Sequence, residues 1–277
     1  MKKVSKKIFT RTDFHGCNPS FIVTEEGIIL IDTPYLPTDA LKWREEIKGY
    51  GGIRYIINTE HHPDHVLGNF FFEGAVISHY GTKENFGAKL DKMGEVLGRI
   101  RELDPEGVHL FEGGYSPNEP QIVFDNKLTL YMGNQIFELM HLPGHTPNQI
   151  AILVAKERVL FTGDNVVYRT RPFYHECKPK EWIKSLEYLK TMDFDVLIPG
   201  HGEVCTKKAI DEMILYHNEL FEQIERAIKQ GLGKEETIKK VRFDERMPLM
   251  DYQKKIGRKM DQMGIHRIYE ELSNKLI

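Results

Sequence analysis

The chain has 277 residues, 40% hydrophobic and 29% charged, with a net charge of −3 when histidine is neutral. That length can bury one sizeable core, and the charge supplies no basic stripe for nucleic acid. No apolar run approaches a membrane span, no apolar signal core follows the basic opening 1–7, and Cys17, Cys177 and Cys205 form no CxxC pair, so a cytoplasmic protein with reduced thiols is expected.

Ser20 to Asp32 reads as a hairpin. Phe21-Ile22-Val23-Thr24 and Ile28-Ile29-Leu30-Ile31 flank Glu25-Glu26-Gly27, whose glycine is free to take φ > 0. Pro37-Thr38-Asp39 opens a helix with Leu41 and Ile47 inward, ended by Gly49, Gly51 and Gly52. A short apolar strand, Arg54–Asn58, leads into Thr59-Glu60-His61-His62-Pro63-Asp64-His65. Val66 to Phe72 starts a helix whose phenylalanines belong to the core, and Ala75–Ser78 is another strand. Gly81 to Leu103 reads as mixed helix, with Met93, Val96, Leu97 and Ile100 near helical spacing. Asp104 to Pro120 has little periodicity. It is long for a connection without structure and reads as a functional lid.

Strands resume at Leu128–Tyr131, Ile136–Leu142, Gln149–Val154 and Arg158–Phe161. A helix from Glu181 to Met192 puts Trp182, Leu186 and Leu189 on one side, and Val196–Ile198 closes the set. Two blocks of strands, each followed by helices, predict an α/β fold of two facing sheets with helices outside, over residues 1–206. After Cys205 the pattern is helical: Lys207–Gln230, Lys234–Val241 and about Asp251–Lys275. The apolar stripe of Ile210, Ile214, Phe221 and Ile224 needs cover. Residues 207–277 are therefore a helical extension that packs on the sandwich or pairs with a second copy in a homodimer.

The stretch after Asn58 holds one glutamate, three histidines and one aspartate within six residues, far more ligand chemistry than a loop needs. His62, Asp64 and His65 can converge at the end of a strand, and imidazole nitrogen and carboxylate oxygen suit zinc, iron and manganese. Three fragments downstream repeat the arrangement of apolar strand, tight turn and one ligand-type side chain. They are Pro143-Gly144-His145, Thr162-Gly163-Asp164 and Pro199-Gly200-His201.

In this order and spacing the four fragments resemble the metallo-β-lactamase-fold hydrolases, which include glyoxalase II-like and lactonase-like enzymes. The resemblance covers about residues 4–206 and implies an αββα sandwich. It also implies two adjacent divalent metal ions. Glu60, His62 and His145 would hold the first, Asp64, His65 and His201 the second, and Asp164 would bridge them. Asp64 would also orient the nucleophile, a shared water whose pKa the metals lower toward neutrality.

One position departs from the family pattern, because its first histidine falls on Glu60. As a ligand, Glu60 makes the site less positive and moves preference from zinc toward iron or manganese. Two alternatives stay open: Glu60 as a general base beside one metal, or His61 as the replacement ligand. His15, Tyr168, Arg169, Arg171 and Tyr174 are candidates for the mouth of the site, the arginines for an anionic substrate group. The expected activity is metal-dependent hydrolysis of a small ester, lactone, thioester or amide. The competing readings are a non-haem iron redox enzyme and a non-catalytic metal-binding module.

Overall fold

The computed structural model describes residues 1–90, 93–111, 114–116, 118–243 and 245–274. Seven strands run across the first sheet in chain order: β1 (Lys2–Lys3), β2 (Ile8–Thr10), β3 (Ser20–Thr24), β4 (Gly27–Ile31), β5 (Ile53–Ile57), β6 (Ala75–His79) and β7 (Pro120–Phe124). The pairings from β1 to β4 are antiparallel, and those from β4 to β7 are parallel. The second sheet contains β8 (Lys127–Met132), β9 (Gln135–His141), β10 (Ile150–Val154) and β11 (Val159–Phe161). After a short β12 (Val167–Tyr168) it gains β13 (Val196–Ile198), parallel to β11. β14 (His201–Gly202) pairs with β12 beyond the sheet's end.

The central strands β4, β10 and β11 read as unbroken apolar runs because both of their faces are covered, while the edge strand β8 alternates half-buried and exposed residues. Successive side chains point to opposite faces. In β3 and β4, Ile22, Ile29 and Ile31 therefore meet Phe137, Leu139, Ile150 and Ile152 between the sheets. Phe21, Ile28 and Leu30 face outward onto Trp43 of α1 (Pro37–Ile47). Full burial of one such side chain contributes about 1.5–3 kcal/mol. Pro37, at the first turn of α1, lacks only an N–H that has no partner inside the helix.

Further helices of the first layer are α2 (Pro63–Val66), α3 (Tyr80–Leu90) and α4 (Met93–Leu103). The expected single start at Val66 is thus a short α-turn from Pro63 continued by a 3₁₀ turn, Leu67–Phe71. The 104–120 segment corrects the reading as one long unstructured lid. Asp104 is buried and accepts hydrogen bonds from Thr38 Oγ1 (2.9 Å) and the Gly107 amide (3.0 Å). Val108–Phe111 is a 3₁₀ turn, and Tyr115 Oη donates to the Leu67 carbonyl at 3.2 Å. Residues 112, 113 and 117 lie outside the described residues.

Outside the second sheet lie α5 (Pro179–Thr191), α6 (Lys208–Lys229), α7 (Lys234–Lys240), α8 (Asp251–Lys254) and α9 (Gly257–Ser273). The expected third C-terminal helix is thus two, separated at Lys255 and Ile256. Ile210, Met213 and Ile224 of α6 and Ile265, Ile268 and Leu272 of α9 belong to one cluster with Trp182, Leu186 and Leu189 of α5 and Ala151, Leu153 and Leu160 of the sheet. The C-terminal helices therefore bury their stripes on the sandwich's outer layer. The ends of β5, β9, β11 and β13 carry the ligand-type residues into the connections along one edge.

Candidate metal centre

The connection after β5 is pinned before it reaches its histidines. The Asn58 amide donates to the Ile77 carbonyl at 3.0 Å, and Asn58 Nδ2 donates to the His65 carbonyl at 3.1 Å. The Thr59 amide donates to Asp32 Oδ1 at 2.8 Å. Pro63 then starts α2, so Asp64 and His65 project from a first helical turn. Glycine is required twice on the opposite side. Gly163 has φ +48° and packs against Thr59 and Gln149, and a Cβ on Gly200 would collide with the Asp164 carboxylate.

Four histidines and three carboxylates converge there. Nδ1 of His62 lies 2.6 Å from Glu60 Oε2 and 3.1 Å from His145 Nε2, while Glu60 Oε1 lies 3.4 Å from His145 Nε2. His201 Nε2 lies 3.2 Å from both Asp64 Oδ2 and Asp164 Oδ2. Asp164 Oδ1 is 3.3 Å from His65 Nε2, and its Oδ2 is 3.6 Å from His145 Nε2. The donors thus form one trio of Glu60, His62 and His145 and another of Asp64, His65 and His201. Asp164 spans them.

The donor set fits a cation. Both oxygens of Glu60, Oδ1 of Asp164 and Nε2 of His65 are buried without a well-formed hydrogen bond. Leaving several buried carboxylate oxygens in that state costs free energy that a shared positive charge offsets. Burial alone would raise the Glu60 carboxyl, but His62, His145 and His65 outweigh it and hold it below the usual range. Asp164 is likewise lowered by His201 and His65 against its burial.

Surrounding groups orient these donors. His65 Nδ1 lies 2.8 Å from Asp32 Oδ2, which also accepts from Thr59 Oγ1 at 2.7 Å. Asp32 itself sits at φ 53°, a conformation that aspartate tolerates better than most residues. His145 Nδ1 donates to the Phe173 carbonyl at 2.9 Å. Such contacts fix which nitrogen of each ring faces the centre.

A family model described as the metallo-beta-lactamase superfamily matches residues 12–201. The chain belongs to the metallo-beta-lactamase superfamily. It is 23% identical over 259 residues to a linear primary-alkylsulfatase from a Pseudomonas species, covering 80% of this chain and 49% of that one. It is 26% identical over 143 residues to a hydroxyacylglutathione hydrolase from a Chelativorans species, covering 52% of this chain and 46% of that one. The chain thus spans about half the length of these curated relatives. A solved metallo-beta-lactamase family protein from Thermus thermophilus superposes with TM-score 0.71 at 18% identity, over 99% of this chain and 95% of that one. The stereoselective inverting sec-alkylsulfatase of a Pseudomonas species gives TM-score 0.74 at 16% identity, over 97% of this chain and 49% of its own. The sandwich and its C-terminal helices are therefore those of the metallo-beta-lactamase fold.

His61 belongs to neither trio but forms a separate ligand-type group with His62 and Glu176. Its Nδ1 lies 2.9 Å from Asn148 Nδ2, and its Nε2 lies 2.9 Å from Glu176 Oε2. Asn148 Oδ1 also lies 3.0 Å from His61 Nδ1. Among the mouth candidates, His15 feels the charges of Asp64 and His201, and its ring stacks on Tyr35 with centroids 6.0 Å apart. Tyr168 is half-buried, with the exposed Arg169 guanidinium 5.2 Å from its ring centroid.

Arg171 and Tyr174, the other two mouth candidates, are both engaged by the C-terminal layer. Arg171 pairs with Asp261 at 2.9 Å and donates to the Met247 carbonyl at 3.2 Å. Tyr174 is buried with its hydroxyl 3.1 Å from His217 Nδ1. Three neighbours of the donors carried no expectation from the sequence: Asp32 beside His65, His175 with its ring stacked on that of His62 at 4.8 Å, and Glu176 beside His61. Asp32, at the end of an apolar strand, carried the same signal as Asp164. Glu176 lies in a connection without periodicity and is legible only in three dimensions.

Proposed function

We propose that the chain is a hydrolase using two divalent transition-metal ions, the first held by Glu60, His62 and His145, the second by Asp64, His65 and His201, with Asp164 shared. The observation that carries this reading is the convergence of seven donors with unpartnered buried oxygens on Glu60 and Asp164. When bound, the metals supply Lewis acidity and an ionised water at neutral pH. Asp64, with its Oδ2 3.2 Å from His201, orients the attacking group, and Asp32 and the Phe173 carbonyl keep the imidazoles in register.

The substrate class is a small molecule with an electrophilic carbonyl, such as an ester, lactone, thioester or amide. The alkylsulfatase likeness adds sulfate esters to the panel. Zinc accepts this donor set, and the third carboxylate, Glu60, also makes it favourable for iron or manganese. The test is hydrolysis of a panel of nitrophenyl esters, lactones, thioesters, amides and alkyl sulfates by protein reloaded with zinc, iron or manganese. Metal-dependent turnover of at least one class supports the reading. Oxygen uptake by the iron form with no hydrolysis would instead favour the redox alternative.

A further inference from the structure

A narrow recess lies beside the metal-bearing connection, between α2 and α4. Its buried wall includes Val66 and Phe86. Neither belongs to any of the three apolar clusters that make up the core. They are thus held at the wall of a cavity rather than inside a packed layer. Pro63, Met93 and Val96 are half-buried and form the side that opens to solvent.

Two residues of the lining carry polar side chains, and both are occupied elsewhere. Tyr115 Oη donates to the Leu67 carbonyl at 3.2 Å. His61 has Asn148 Nδ2 2.9 Å from its Nδ1 and Glu176 Oε2 2.9 Å from its Nε2. A polar group entering the recess would therefore give up water without replacement, whereas an apolar group loses nothing. Pro63 ties this recess to the chemistry. It separates His62 from Asp64, one donor of each trio, and consecutive Cα atoms are about 3.8 Å apart. The Asp64 side chain is 29% exposed, so the same connection is open to a substrate. An electrophilic group that meets Asp64 lies within a few bonds of the recess.

We propose that this recess receives a straight hydrocarbon chain of the substrate, and that Met93 and Val96 of α4 set which chains are taken. The Met93 thioether is flexible and yields to a chain that slides past it. The branched Val96 is stiff and, in a narrow slot, rejects branched or cyclic groups. The inference rests on the hydrolase reading above and names the substrate within it: a linear aliphatic chain attached to the scissile group, on its acyl or its alcohol side.

Two measurements on the zinc-reloaded full chain test it. In the first, n-hexanol is titrated in while methionine methyl resonances are followed, with the Met93 signal assigned through Met93→Leu. Saturable movement of that signal is expected, absent with cyclohexanol and lost in Val96→Phe, which fills the recess. No saturable movement in the wild type overturns the inference without relying on any variant. In the second, kcat/KM is measured on nitrophenyl acetate, butanoate and hexanoate and on butyl, hexyl and octyl sulfate. A rise of about 4-fold per methylene is expected in one series, which assigns the chain to the acyl or the alcohol side. Val96→Phe should flatten that slope. Turnover indifferent to chain length overturns the inference and leaves the hydrolase reading standing, as does an undiminished slope in Val96→Phe. Saturable hexanol binding with no hydrolysis of either series would sink the hydrolase reading and keep the recess as a chain-binding site.

Discussion

Glu60 Oε2 lies 2.6 Å from His62 Nδ1, and both side chains are buried. This contact puts a carboxylate where the family pattern has an imidazole. In the proposed centre, two divalent ions would bring four positive charges, and Glu60, Asp64, Asp164 and one hydroxide would cancel all four. A histidine at position 60 would leave one uncancelled.

Glu60→His is therefore expected to shift metal selectivity toward zinc and to move the pH at which activity rises downward, because a more positive centre makes bound water more acidic. Metal competition and a pH–rate profile check both. Unchanged metal content with turnover lost at every pH would assign Glu60 to general-base work instead. Wild-type selectivity in Glu60→Ala would remove it from the ligand set.

Asp164 lies within 3.6 Å of His65, His145 and His201, so it serves both trios. Asp164→Ala should lose occupancy of both metal positions, measured by elemental analysis after dialysis. Two ions still bound would mean that the carboxylate is not shared.

Ile268 of α9 is fully buried against the cluster that contains Trp182 and Ile210. Ile268→Ala should destabilise the whole fold by about 2–5 kcal/mol in urea unfolding. Truncation after Cys205 should give insoluble protein for the same reason. A soluble, active fragment ending there would show that the sandwich does not need these helices.

His217 is fully buried beside Tyr174 and Trp182, and burial, then the charge of His145, lowers its pKa from the usual 6.5 to about 3. The unfolded chain binds the proton more readily than the folded one between those values. Stability is therefore full above about pH 6.5 and falls as pH drops toward 3, by at most ~1.4 kcal/mol per pH unit from this group. His217→Gln should flatten that part of the profile in urea titrations at pH 7 and pH 5. An identical pH dependence in the variant would assign the acid sensitivity elsewhere.

The sandwich was legible because each strand is a short apolar run between turn residues, and the donors were legible because each follows such a run. Asp64, His65, His145, Asp164 and His201 stand where strand ends must carry them. The short strands Ile8–Thr10 and Pro120–Phe124 were missed, the second because a proline at its first residue reads as a connection and is tolerated at this sheet edge. Arg171 and Tyr174 looked like mouth residues because they follow Asp164 closely. Their partners, Asp261 and His217, lie 90 and 43 residues away, and no local pattern announces that distance. Glu176 was hidden in the same way, since His61 and His62 come near it only in the folded chain.

Elemental analysis of the purified chain, paired with hydrolysis before and after chelation, tests the central claim most directly. The expected result is about two transition-metal ions per chain. Activity should disappear on chelation, return on reloading and be absent from His145→Ala and His201→Ala. Full hydrolytic activity in a metal-free preparation would contradict it.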